Sequence, residues 1–302
     1  MNRAKAALRQ ITPPIFWKAA KRLRSPSEGD LSLKIGSVSI DLPPTHALPG
    51  YMQSFRNYDR FLPMLVRELA PQTWVLDVGA NCGDTLAGMV AANAQLNFLC
   101  VEADDYFFEY LLRNTRKIRS AYPELGRIEC VKSLAGTEGL SGELAGSAGT
   151  KHLVAGIGSR SAKPLDVIVR ESLPCDAAIS LIKVDVDGFD FDVLRSAGTL
   201  VDIPGMLLYF ECAFVDECQK HGYADLLAEL IDRQFTLWVF DNFGTPLLST
   251  RDLQVISALL HYIWRQNMGE ATRTIFYFDM LASRPVSAHR VDRALARFPF
   301  AG

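Results

Sequence analysis

Four short stretches of the chain hold the residue types that carry chemistry. The first is Asp77-Val78-Gly79-Ala80-Asn81-Cys82-Gly83-Asp84. Gly79 and Gly83 let a backbone turn tightly and approach a ligand without Cβ interference, and Asn81 tolerates positive φ. Asp77, just ahead of the glycines, is placed to accept from a cationic amine or from N–H groups of the loop. The second is Glu102, 19 residues after Gly83 and followed by Ala103; a carboxylate there can accept from two ribose hydroxyls. Pyrophosphate on a helix N-terminus would call for G-x-G-x-x-G, which is absent. Glu102 alone suits NAD equally well, but with the glycine loop it favours S-adenosylmethionine.

The third stretch is Lys183-Val184-Asp185-Val186-Asp187-Gly188-Phe189-Asp190, and the fourth is Tyr209-Phe210-Glu211-Cys212. Open α/β sheets bind ligands outside the carboxyl ends of their strands. Asp185, Asp187 and Glu211 are therefore expected at one sheet edge, with Lys183 beside them. Asp185 and Glu211 are the candidates for a general base. The three acids are also hard oxygen ligands of the type Mg²⁺ prefers; a divalent cation is possible, and carboxylate base catalysis is placed ahead of it. The competing structural role has Asp187 and Asp190 capping the next helix and Lys183 pairing with an acid.

The elements that must position these residues show in the hydropathy. Short apolar runs occur at Trp74–Val78, Phe98–Glu102, Ile128–Lys132, Ile179–Asp185, Met206–Cys212, Phe235–Phe240 and Ile275–Met280. Runs of that length indicate strands buried on both faces, as in helix-covered parallel sheets. Amphipathic segments lie between the first five, and Leu253–Trp264 separates the last two, so the final strand is expected to return antiparallel. The reading is a doubly wound, Rossmann-like α/β sheet of about seven strands. The alternation of Leu31, Leu33, Ile35 with Val38, Ile40, Leu42 around Gly36-Ser37 predicts a hairpin ahead of it. Residues 1–50 are read as an extension and 51–302 as the ligand-binding domain. The stretch 133–160, with seven of the 21 glycines, predicts a loop or hairpin excursion. Ser133-Leu134 follows the third run, where Leu134 is placed to meet an adenine edge. His152 and His221 are read as surface residues, and Tyr106, Phe107, Phe108 and Tyr110 as helix packing.

Composition narrows the classes. Apolar residues are 49% and charged residues 22% of 302, ordinary globular values. No apolar run approaches the ~18 residues of a spanning helix. Residues 1–24 hold seven basic side chains and no acidic one, which leaves the remainder at −9. That balance argues against nucleic acid as a partner. The basic segment, with Ile15, Phe16 and Trp17, suits an anionic membrane surface or a helix packed on the domain. Six dispersed cysteines without a CxxC pair fit the cytoplasm.

Asp77 to Asp84, Val101-Glu102-Ala103 and Leu181 to Gly188 resemble the FkbM-type family of S-adenosylmethionine-dependent methyltransferases. Leu165-Asp166, Val193 to Gly198 and Phe210-Glu211 fit the same pattern, and the likeness spans roughly residues 50–245. The chain has Asp187-Gly188 where that family usually has Glu-Gly. The resemblance implies a class I methyltransferase that moves a methyl group to oxygen, commonly a sugar or polyketide hydroxyl, with a small molecule or glycan as acceptor. Its rival is a non-catalytic nucleotide-binding or partner-binding module of the same fold.

Overall fold

The computed structural model describes residues 29–147, 150–156, 160–269 and 274–298. The basic segment 1–24 lies outside the described residues. An antiparallel hairpin, β1 (Leu31–Ile35) and β2 (Val38–Leu42), comes first, turning at Gly36 and Ser37. Two short helices, α1 (Leu48–Ser54) and α2 (Phe61–Val66), lead into the main sheet. Its strands are β3 (Trp74–Val78), β4 (Asn97–Glu102), β5 (Ile128–Lys132), β9 (Ile179–Val184), β10 (Leu207–Cys212), β11 (Thr236–Asp241), β12 (Pro246–Thr250) and β13 (Phe278–Ser283). They lie in the order β12-β11-β13-β10-β9-β3-β4-β5. The five from β10 to β5 are mutually parallel, and β13 enters antiparallel between β10 and β11. This is a doubly wound, Rossmann-like sheet, with its order reversing between β3 and β9.

Most strand ends fall within one residue of the sequence reading, and three features depart further. The last strand begins at Phe278, three residues beyond the start of its apolar run. The helix before it, α8, runs Leu253–Met268, longer than its apolar pattern. An eighth strand, β12, was not predicted, because an edge strand with half its ladder open needs no continuous apolar side chains; Leu247 and Leu248 are exposed. The glycine-rich stretch forms a small separate sheet of β6 (Ser141–Ser147), β7 (Thr150–Ala155) and β8 (Arg160–Ser161), which is the predicted excursion.

Period-2 alternation sorts the strand residues between two cores. Leu76, Val78, Leu99, Ile182, Leu208 and Phe210 face one layer of helices: α5 (Leu165–Ser172), α6 (Asp190–Ser196), α7 (Glu217–Asp232) and α8. Val75, Phe98, Cys100, Leu181, Leu207 and Leu281 face the other, made by α2, α3 (Asp84–Ala92), α4 (Asp105–Ala121), α9 (Pro285–Ala296) and the first hairpin. No described helix is long and apolar enough to cross a membrane. Phe107 and Tyr110 are buried in α4 as helix packing, and Asp104 caps that helix by accepting from Tyr106 N and Phe107 N.

Several side chains fasten the first hairpin to the domain, and one of them also reaches the glycine loop. Asn114 of α4, fully buried, accepts from Asp41 N at 2.7 Å and donates to Asp41 O at 2.8 Å and to Cys82 O at 2.7 Å. It thus joins β2 to the loop after β3. Asn114→Ala strands three backbone groups and is expected to cost about 3 kcal/mol of stability. Urea unfolding measures this as a lower midpoint at unchanged slope.

Candidate active site

The glycine loop leaves β3 at its carboxyl end. Gly79 N and Ala80 N both donate to Val101 O, at 2.9 and 3.0 Å, which presses the loop against the end of β4. Gly79 has φ of 76°, and a Cβ there would sit 1.9 Å from Asp185 O, so only glycine fits. Asn81 also takes positive φ, 47°, as its type allows. Its side chain accepts from Cys82 N at 2.8 Å and faces His46 Nε2 at 3.4 Å. Gly83, φ 82°, is the residue before α3 and lines neither of the two cavities described below.

Asp77 does not face a ligand. It is fully buried, with Oδ1 3.0 Å from Lys183 Nζ. The cationic amine near it is therefore the protein's own. The approach is that of an ion pair whose angle misses hydrogen-bond geometry, and neither carboxylate oxygen has a hydrogen-bond partner among the described residues. Lys183, itself buried, also donates to Gly79 O at 3.1 Å and lies 3.6 Å from Asp185 Oδ2. Burial pulls its ammonium down, but the charges of Asp77 and Asp185 outweigh that and hold it above the ordinary lysine range.

Glu102 is nine-tenths buried and already engaged. Its Oε2 accepts from Asn81 N at 2.8 Å and its Oε1 from Asp104 N at 2.7 Å. These donors fix the carboxylate and leave each oxygen one lone-pair direction. Burial lifts its pKa, against the pull of the two N–H groups. Glu102, Ala103, Gly79, Asn81, Leu134 and Asp185 all line one cavity of about 60 Å³. Leu144 of β6 and Leu153 of β7 close it from above.

A larger cavity of about 350 Å³ opens on the other side of the strand ends, bordered by α1, α2 and α3. Lys183, Glu211 and Asp279 line it, with Asp59 and Asp84, but none of the residues of the smaller cavity does except Asp185. Asp185 is the one side chain common to both. Asp185, Asp187 and Glu211 bring one carboxylate oxygen each within 4.8 Å of one another. The predicted convergence is present, and this donor set is of the kind that holds a hard divalent cation. Burial first, then the charge of Asp185, raises Asp187 and Glu211 well above the usual carboxylate range.

The competing role for the acids is met in part. Lys183 does pair with an acid, yet neither Asp187 nor Asp190 caps α6, whose first turn follows Phe189 without a side-chain cap. Asp190 instead accepts from Glu211 N at 3.0 Å and Val186 N at 3.3 Å, tying the end of β9 to β10. His221 is exposed, and the side chain of His152 lies outside the described residues. His46, Asp59 and Asp279 escaped the sequence reading. His46 and Asp59 stand in turns without periodicity, and Asp279 sits in a strand whose start was set too early.

No protein-family model and no curated protein sequence matches the chain. Among solved structures, it is similar to the methyltransferase domain of METTL16 at 14% identity and TM-score 0.46, covering 82% of this chain and 74% of that one. An O-methyltransferase from Bacillus cereus in complex with SAH has 11% identity and TM-score 0.42, over 75% of this chain and 80% of that one. The precorrin-6y C5,15-methyltransferase from Geobacter metallireducens has 7% identity and TM-score 0.39, over 74% and 85%. Likeness of this degree concerns the arrangement of the chain and not its chemistry.

Two outcomes follow from the buried charges. Lys183→Met leaves Asp77 buried without a counter-charge and should cost about 3–5 kcal/mol, most of it recovered by adding Asp77→Leu; thermal unfolding of both variants reads this. Burial, then the charge of Asp185, pushes Asp190 up from 3.8 to about 7. A raised folded pKa means that the folded state binds the proton more tightly than the unfolded chain. The contribution of Asp190 to stability is therefore whole below pH 3.8 and lost as pH rises through about 7. Urea midpoints should fall between those limits, and Asp190→Asn should flatten the fall.

Proposed function

We propose that the chain is an S-adenosylmethionine-dependent methyltransferase acting on a hydroxyl of a sugar or another small-molecule or glycan acceptor. The position of Asp185, alone common to the two cavities, carries the reading. In it, the smaller cavity receives the cofactor and the larger one the acceptor. Glu102 would accept from the ribose hydroxyls through the lone pairs its two backbone donors leave free. Leu134 would flank the adenine, and the Gly79 to Asn81 backbone would pass beside the amino-acid part. The space of about 60 Å³ is less than a drug-sized ligand takes, so Leu144 and Leu153 must draw back for the cofactor to enter.

When bound, the cofactor supplies a sulfonium methyl: the acceptor oxygen forms the new C–O bond as the C–S bond breaks. Asp185 takes the proton of the attacking hydroxyl. Glu211, on the acceptor side, orients that hydroxyl and is the second candidate for its proton. Lys183 keeps Asp185 at the junction, and Asp77 keeps Lys183 charged. Orientation of this kind supplies several kcal/mol of a transfer barrier. A cation held by Asp185, Asp187 and Glu211 would lower the acceptor's pKa instead; Lys183 already offsets charge at Asp185, which favours the carboxylate route. Contact of residues 1–24 with an anionic membrane belongs to the same proposal and rests on their charge alone.

Calorimetry with S-adenosylmethionine tests the cofactor side: Glu102→Ala should weaken binding by about 1.5–3 kcal/mol, and unchanged affinity removes Glu102 from the ribose site. With an acceptor in hand, Asp185→Asn should lower kcat by about 10²–10⁴ at unchanged cofactor affinity. Turnover should persist in EDTA. Its loss, with rescue by Mg²⁺, would transfer the role of Asp185 to metal binding.

A further inference from the structure

The larger cavity has two unlike ends. Toward the strand ends it meets five carboxylates, Asp59, Asp84, Asp185, Glu211 and Asp279. Asp279 reaches them because β13 runs antiparallel, which sets its first residues against the last of β10, with Glu211 and Asp279 in register. No lysine, arginine or histidine among the described residues forms an ion pair with Asp59, Asp84, Glu211 or Asp279. Lys183 is matched by Asp77 at 3.0 Å. Arg60 and Arg67 also border the cavity, both exposed and neither bridged to the five acids. Against the five acids the lining sets Lys183, Arg60 and Arg67, so two acidic groups are in excess, and Lys183 is shared with Asp77 behind it.

Away from the strand ends the same cavity is apolar. Leu48 and Met52 of α1 and Leu62, Pro63 and Met64 of α2 form one wall. Beyond Asp84 and Thr85, α3 lines it with Gly88, Ala91 and Ala92, and Ile35 and Gly36 of the first hairpin border it too. The result is a chamber that is mostly apolar away from the strand ends and acidic beside Asp185. Glycan hydroxyls alone would leave both the apolar wall and the excess negative charge unmatched.

We propose that this cavity takes an amphiphilic acceptor: an apolar chain or aglycone at the apolar end, and a protonated amine among the acids, next to the hydroxyl that is methylated. The inference rests on the methyl-transfer reading above and narrows its acceptor class to hydrophobic amino alcohols or amino sugars. The amine is an anchor and not the nucleophile. Held among carboxylates it keeps its proton, has no free lone pair and cannot attack, so the transferred methyl goes to the neighbouring oxygen and the hydroxyl proton to Asp185.

Calorimetry on the full chain, with S-adenosylhomocysteine present, tests this using octylamine, octan-1-ol and ethylamine as probes. Octylammonium should bind about tenfold tighter than octan-1-ol, the value of a charge-assisted hydrogen bond. It should exceed ethylammonium by more, since each methylene buried adds about threefold to fourfold. Asp59→Asn combined with Asp279→Asn should erase the preference for the amine while leaving octan-1-ol binding unchanged. Equal binding of amine and alcohol overturns the cationic anchor, and equal binding of octylamine and ethylamine overturns the apolar end. Heat from Mg²⁺ with none from octylammonium overturns the proposal in favour of a metal. Failure of S-adenosylhomocysteine to bind counts against the methyl-transfer reading instead, and the wild-type probe comparison, repeated without it, still reads the cavity.

Discussion

The site depends on one ammonium held inside the sheet. Lys183 and Asp77 occupy paired positions on adjacent parallel strands, β9 and β3, and point to the same face. An ion pair so deep gains little net stability, because desolvation cancels most of its attraction. What it gives is placement. A slip of one residue between β3 and β9 would send the two charges to opposite faces and leave each buried alone. The same ammonium holds the carbonyl of Gly79 and stands beside Asp185. Register, glycine loop and junction acid are thus set by a single group.

The strands bear the mark of that arrangement. Asp77, Lys183, Glu211 and Asp279 each interrupt an apolar run, and each lies on the face toward α2 and α3. The first three were legible because continuous apolar runs announce strands buried on both faces, and a charge inside one has to be explained. Asp279 was not, since the apolar stretch from Ile275 onward does not say where pairing begins. It pairs only from Phe278, and only the antiparallel direction puts Asp279 among the parallel strand ends. Glu102 was read at the right place, but its backbone donors, Asn81 and Asp104, depend on a loop conformation that residue spacing does not encode. His46 and Asp59 arrive from irregular chain, where no periodicity tells direction. Asp77 was drawn inward because the amine it suits was in the protein, and Gly83 is buried before α3 away from both cavities.

Crowding of acids has its own logic. Asp187, Glu211 and Asp279 are each pushed upward by burial and by neighbouring carboxylates. Natural cores avoid such grouping unless charge is to be met from outside. Among the described residues, Lys183 between β3 and β9 is the buried cation beside it. The cluster stands where the order of the sheet reverses, the place at which open α/β sheets leave room for ligands.

The provenance of the two cavity walls has a consequence for divergence. One side of the smaller cavity is built from β3, β4, β9 and the loops that follow them, whose geometry the sheet ladder enforces, and residues from Leu134 to Leu153 cover it. About half of the wall of the larger one comes from chain that precedes β3: the hairpin tip, α1, the turn at Asp59 and α2. Connecting segments accept insertions and substitutions far more readily than buried strands do. Lengthening or shortening the chain between Leu42 and Phe61 would reshape the larger chamber while the ladder from β10 to β5 kept its register. A lineage carrying this scaffold can therefore exchange what it admits on one side without relearning what it holds on the other, provided Asn114 still clasps β2 to the glycine loop.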